Sequence, residues 1–213
     1  MRAAYDYWLF DLDGTIVDVE REYAREVICR AGERLDIQFS PQQADCLWYG
    51  LGGSPEMHLR QWGIDAEGFW EAFHAVEDPL ARVDHTFLYP DADFIGDIDV
   101  PVGLVTHCQP FLAQPVLQEL DIEDWFDVIV FCNDELGWKP DPAPVERAKQ
   151  RLGHSLNGNG ALVGDSPADI GAAWNAGLAG IHVERHGHDA RGCCVRADRR
   201  LTTCEELIVT TDY

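Results

Sequence analysis

Six polar residues of this 213-residue chain could together bind a cation, bind an anion and supply a nucleophile: Asp11, Asp13, Thr106, Lys139, Asp165 and Asp169. Asp11 and Asp13 close the apolar run Tyr7-Trp8-Leu9-Phe10, and Gly14 breaks the chain just beyond them. A short apolar run ended by glycine reads as a buried strand. Both carboxylates then fall at its C-terminal end, the edge where open parallel α/β sheets bind ligands. Two acids so close are costly unless a cation joins them, and an all-oxygen set suits a hard ion such as Mg²⁺. The pentapeptide Asp11-Leu12-Asp13-Gly14-Thr15 alone also fits an acidic turn with no ligand.

Three later stretches narrow that choice. Val102-Gly103-Leu104-Val105-Thr106 is a second buried-strand run, ending in a hydroxyl. Gly137-Trp138-Lys139-Pro140-Asp141-Pro142 presents a fixed cation. Leu162-Val163-Gly164-Asp165-Ser166-Pro167-Ala168-Asp169 is a strand ending in one acid, with a second acid four residues on. Each has a plainer reading: a turn threonine, a solvated lysine, and a helix N-cap at Ser166 followed by proline. In order along one chain they supply a nucleophile, an anion-binding hydroxyl, a cation and further metal carboxylates.

In this combination the chain resembles the haloacid dehalogenase superfamily, in the branch of phosphatases with a small helical cap that includes phosphoglycolate phosphatase-like enzymes. Asp11 and Asp13 fall on that family's first motif, Thr106 on the second, Lys139 on the third, and Asp165 with Asp169 on the fourth. The resemblance implies that Asp11 is the nucleophile and Asp13 the acid and base. It implies that Thr106, Lys139 and the Leu12 N–H hold the phosphoryl group. Mg²⁺ would be held by Asp11, the Asp13 carbonyl, Asp165 and Asp169. His107 departs from the asparagine that the family often carries after the second motif. Dehalogenase relatives lack a second acid such as Asp13. Phosphonate-cleaving relatives need a cap lysine, and residues 17–84 contain none. A sugar-phosphate mutase of the same superfamily, or a non-catalytic binding protein on the same fold, are the alternatives.

The elements that must position these residues follow from hydrophobic period and punctuation. Strands at 7–11, 102–106, 127–131, 161–164 and 180–183 alternate with helices at 110–120, 143–152 and 167–176, with Pro115 expected to kink the first of these or to divide it into two short helices. That alternation predicts an α/β core: a Rossmann-like parallel sheet with helices on both faces. Residues 17–84 read as an inserted helical cap, without strands. Val19, Tyr23, Val27, Ala31 and Leu35 mark one helix, and Ser40, Ser54 and Asp65 start three more. The expected boundaries are 1–16 and 85–213 for the core and 17–84 for the cap. In the cap, Gly52, Gly53 and Ser54 are the expected specificity loop. Residues 185–200 read as a surface loop.

Composition bounds the partners. Acids outnumber bases 38 to 16, for a net charge of −22, and only Lys139 and Lys149 are lysines. Such a surface repels polyanions, so no nucleic acid is expected. No apolar run is long enough for a membrane span, so no membrane is expected either. A small phosphorylated metabolite is the expected partner, with the chain a monomer or homodimer. The acid excess with few lysines suits a protein adapted to molar salt, where screening removes self-repulsion. Seven cysteines without a paired framework suit a reducing, cytoplasmic setting. The cluster His182, His186, His188, Cys193 and Cys194 matches no standard zinc spacing.

Overall fold

The computed structural model describes residues 5–153, 159–192 and 194–208. In chain order the elements are β1 (Tyr7–Phe10), β2 (Val17–Val19), α1 (Arg21–Glu33), α2 (Pro41–Tyr49), α3 (Pro55–Gln61), α4 (Ala66–His74), α5 (Pro79–Asp84) and β3 (Thr86–Leu88). There follow β4 (Val102–Thr106), α6 (Pro110–Glu119), β5 (Val128–Phe131), α7 (Ala143–Arg151), β6 (Gly160–Gly164), α8 (Pro167–Asn175), β7 (Ala179–Val183), α9 (His188–Arg191) and β8 (Arg199–Leu201).

Two units result. The first comprises residues 1–18, 88–185 and 195–213, and the second residues 19–87 and 186–194. In the first unit six strands pair in the order β5-β4-β1-β6-β7-β8, all parallel. The strands read as continuous apolar runs because both faces are covered. Trp8 and Phe10 pack on one face with Ala113 and Leu117 of α6, and Tyr7 and Leu9 on the other with Val145, Ala148, Ala172 and Ala173 of α7 and α8. β1 lies in the middle, flanked by β4 and β6, so the ends of these three strands meet at one edge.

The second unit is helical and closes on its own apolar cluster, which includes Tyr23, Val27, Leu47, Leu59 and Phe69. Its helix starts obey their capping residues. Ser40 forms a capping box with Gln43, and Ser54 and Asp65 accept from the N–H groups of Met57 and Gly68.

Four expectations need correction. The stretch 17–84 is not free of strands: Val17-Asp18-Val19 is β2, fully buried and paired with β3 as a separate ribbon, too short for period to reveal. Residues 185–200 are not simply a loop, since α9 and the edge strand β8 lie there. Residues 186–194 group with the helical unit rather than the core, where Gly52 N–H donates to the Arg191 carbonyl at 2.8 Å and the Tyr49 and His186 rings stand 4.6 Å apart. Finally, the helix at 110–119 is not divided into two short ones, since α6 runs through Pro115. Proline there removes one N–H, and the carbonyl it would have met belongs to half-exposed Phe111.

Candidate active site

The three strand ends carry the first half of the site. Asp11 follows β1, Thr106 ends β4 and Asp165 follows β6. Carboxylate oxygens of Asp11, Asp165 and Asp169 all lie within 4.8 Å of one another, the one such group among the described residues. Asp11 and Asp169 are buried, and Asp165 is half-buried. Two glycines allow this crowding. A Cβ on Gly14, at φ +73°, would meet the Asp165 carboxyl carbon at 2.8 Å. Gly164 is as tightly placed against Asp169.

Lys139, from the loop between β5 and α7, binds the carboxylates together. Its ammonium donates to Asp11 Oδ1 at 2.5 Å and to the Val105 carbonyl at 2.8 Å. It also forms an ion pair with Asp169 Oδ1 at 2.7 Å, without the alignment of a hydrogen bond. Asp169 is held from its own helix. Ser166 caps α8 by accepting from the Asp169 N–H, while the Ser166 N–H and hydroxyl both donate to Asp169 Oδ2. The plain reading of Gly-Asp-Ser-Pro as an N-cap and the metal-carboxylate reading therefore describe the same residues: the cap aims the acid.

Electrostatics follow from this crowding. Desolvation dominates at Asp11 and, despite Lys139, lifts its carboxyl well above the usual range, with Asp169 and Asp165 adding to the rise. Burial would raise Asp169 as well, but Lys139 and Ser166 outweigh it and hold that carboxyl low. Burial would lower Lys139; Asp11 and Asp169 outweigh burial and raise it. Three carboxylates thus face one ammonium. The set is all oxygen, one member resists ionisation, and a divalent cation fits that deficit.

The remaining expected residues are placed as follows. Thr106 is buried, and its hydroxyl accepts from the Cys108 N–H at 2.9 Å. The Leu12 carbonyl gathers the N–H groups of Thr15, Ile16 and Val17, which coils the turn that carries Asp13. Asp13 is half-buried, and its carboxylate is outside the Asp11 group. Gly52, Gly53 and Ser54 belong to the helical unit, with the Ser54 hydroxyl used as the cap of α3. Arg25 and Arg21 are engaged by Asp45, the first through two hydrogen bonds of 2.8 and 2.7 Å. Of the His/Cys cluster, Cys193 lies outside the described residues. His182 has a different role: its Nε2 donates to the Asp165 carbonyl at 2.9 Å. The register Gly164↔His182 puts it there, and a histidine inside the apolar run of β7 was the signal.

Comparison with known proteins agrees with this geometry. The sequence model of the haloacid dehalogenase-like hydrolases matches residues 5–177. The phosphoglycolate phosphatase of Escherichia coli strain K12 is 39% identical over 200 residues, covering 81% of this chain and 78% of that protein. The phosphoglycolate phosphatase of Yersinia pestis is 31% identical over 191 residues, covering 79% of this chain and 76% of that protein. A crystal structure described as a putative phosphoglycolate phosphatase from Lactobacillus plantarum superimposes with a TM-score of 0.77 at 20% identity, covering 96% and 98% of the two chains.

Proposed function

The chain belongs to the haloacid dehalogenase-like hydrolases, and from that premise we propose that it hydrolyses a small phosphomonoester through an aspartyl-phosphate formed on Asp11. The observation that carries this reading is the buried set of Asp11, Asp169 and Lys139 at the end of β1, with Asp165 alongside.

The steps use this chain's own groups. An Asp11 carboxylate oxygen attacks phosphorus, and the bond to the leaving oxygen breaks. Lys139, the Thr106 hydroxyl and the N–H groups of Leu12 and Asp13 hold the phosphoryl oxygens as charge moves across them. Asp13, as the acid, gives its proton to the leaving oxygen. As the carboxylate it then takes a proton from the water that attacks phosphorus, which releases phosphate and restores Asp11. Mg²⁺ held by Asp11, Asp165, Asp169 and the Asp13 carbonyl would offset the repulsion between carboxylates and phosphate.

Phosphoglycolate is the first substrate to try, because the relatives above carry that name. Gly52, Gly53 and Ser54 of the helical unit select the leaving group in this reading. The acidic surface suits work in concentrated salt within the cytoplasm, and no helix among the described residues is long and apolar enough to cross a membrane. The test is release of inorganic phosphate from a panel of phosphorylated metabolites, with Mg²⁺ or EDTA, in dilute buffer and in molar KCl. The reading expects hydrolysis with Mg²⁺, none in EDTA, and higher and longer-lived activity in KCl. Full activity in EDTA would end the metal assignment, and no hydrolysis of any phosphomonoester would end the function.

A further inference from the structure

Asp13 has two tasks in the proposed reaction, yet it sits on a coiled turn rather than on a strand. Residues 12–17 close on themselves: Thr15, Ile16 and Val17 donate to the Leu12 carbonyl, and the Gly14 N–H donates to the Val17 carbonyl. Those bonds set the turn's shape. What fixes its orientation comes from two distant segments of the same unit.

Arg185, just past the end of β7, reaches the outer side of the turn. One terminal nitrogen donates to the Thr15 carbonyl at 2.6 Å, and the other to Asp91 Oδ2 at 2.7 Å. The Arg185 side chain is only 5% exposed, and its guanidinium lies 3.9 Å from the centre of the Tyr89 ring. Tyr89 extends the hold. Its N–H donates to the Ile16 carbonyl at 2.9 Å and its hydroxyl to Asp18 Oδ2 at 2.6 Å. Asp91 is itself anchored by the Thr203 hydroxyl and the Cys204 N–H, at 2.8 and 2.7 Å. Burial would raise the Asp91 carboxyl, but Arg185, Thr203 and Cys204 outweigh it and hold it below its ordinary value. The arginine therefore has a charged, anchored partner on one arm and the turn's backbone on the other.

We propose that Arg185 is a positioning residue for the reaction, holding the Asp13 turn through the Thr15 carbonyl while Asp91 and Tyr89 fix the guanidinium. It touches no reacting atom. Its geometry needs the planar fork, since two acceptors in different directions are served by two nitrogens of one rigid group. A lysine could keep the charge and the pair with Asp91 but could not serve both acceptors in this geometry. The inference rests on the proposed role of Asp13 as acid and base.

That role gives a readout that loss of stability does not imitate. A displaced acid slows the phosphoryl-transfer step where the leaving group needs a proton and spares that step where it does not, whereas loss of the base slows the later hydrolysis on every substrate. The experiment measures kcat/KM of wild type, R185K and R185M with an alkyl phosphate and with p-nitrophenyl phosphate, with urea melts to establish folding. With the alkyl phosphate both variants should lose roughly tenfold to a hundredfold in kcat/KM, the scale of a misplaced catalytic group. With p-nitrophenyl phosphate the loss in kcat/KM, which reports only the steps through departure of the leaving group, should stay under about threefold, even where kcat falls because the intermediate is hydrolysed more slowly. If R185M does not fold, R185K carries the same comparison. Equal losses of kcat/KM on both substrates, or no loss on either, would overturn the inference while leaving the function intact. Wild type inactive on both would overturn the function, and this inference with it.

Discussion

The surroundings of Lys139 and Lys149, the chain's two lysines, differ in one respect that decides their chemistry. Both are buried, Lys139 at 5% and Lys149 at 0% exposure. Lys149, on α7, donates to the Ala176 carbonyl beyond α8 at 2.7 Å. Desolvation lowers its pKa, opposed by Glu146. Lys139 suffers the same desolvation, yet the carboxylates of Asp11 and Asp169 drive it upward. Burial alone does not separate the lysine proposed to hold phosphate from the packed one; the counter-charges around Lys139 do. A buried ion pair is weak grounds for stability, because desolvation offsets much of the attraction. A site that collects three carboxylates and a lysine at strand ends is better explained by what it binds. Neither lysine is exposed, so the basic charge on the surface of the described residues is carried by arginine.

The largest expected effect breaks the pair apart by activity. K139M should lower kcat/KM on a phosphomonoester by about 10²–10³-fold, the loss typical of removing one group that stabilises transition-state charge. K149M should stay within roughly twofold of wild type. Comparable losses in the two variants would erase the distinction. A smaller effect sharpens it by stability. The folded pKa of Lys149 is below its unfolded value of about 10.5, so between the two the unfolded chain binds more protons and stability rises with pH. Lys139 is shifted the other way, so its contribution is fully present below about 10.5 and changes only above it. Urea midpoints of the two proteins from about pH 8 to about pH 10 should therefore diverge, wild type gaining relative to K149M. Parallel lines would contradict the shift at Lys149.

Most of this was legible in the sequence where chemistry and local structure coincide. Asp11, Thr106 and Asp165 are strand-end residues because apolar runs precede them, and Ser166 caps the helix that carries Asp169. The cap-helix starts at Ser40, Ser54 and Asp65 could be read because each of these side chains satisfies one of the first N–H groups of its helix. What escaped depends on contacts between distant segments. β2, β3 and β8 have three residues each, too few to show a period. The grouping of residues 186–194 with the helical unit rests on bonds to Gly52, more than a hundred positions away. His182 is expected within the strand at 180–183 and Arg185 at the start of a polar loop, and only the sheet register and the return of the chain near Asp91 give them partners.

The central claim is that Asp11 carries the phosphoryl group, and acid-quenched turnover followed by peptide mass mapping tests it most directly. Wild type mixed with Mg²⁺ and p-nitrophenyl phosphate should show a hydroxylamine-labile phosphoryl adduct on the peptide that contains Asp11. D13N should accumulate more of it, because a good leaving group departs without the acid while hydrolysis of the intermediate still needs the base. D11N should show none and should not turn over. Steady turnover by wild type with no adduct in D13N, or an adduct on any other residue, would contradict the account.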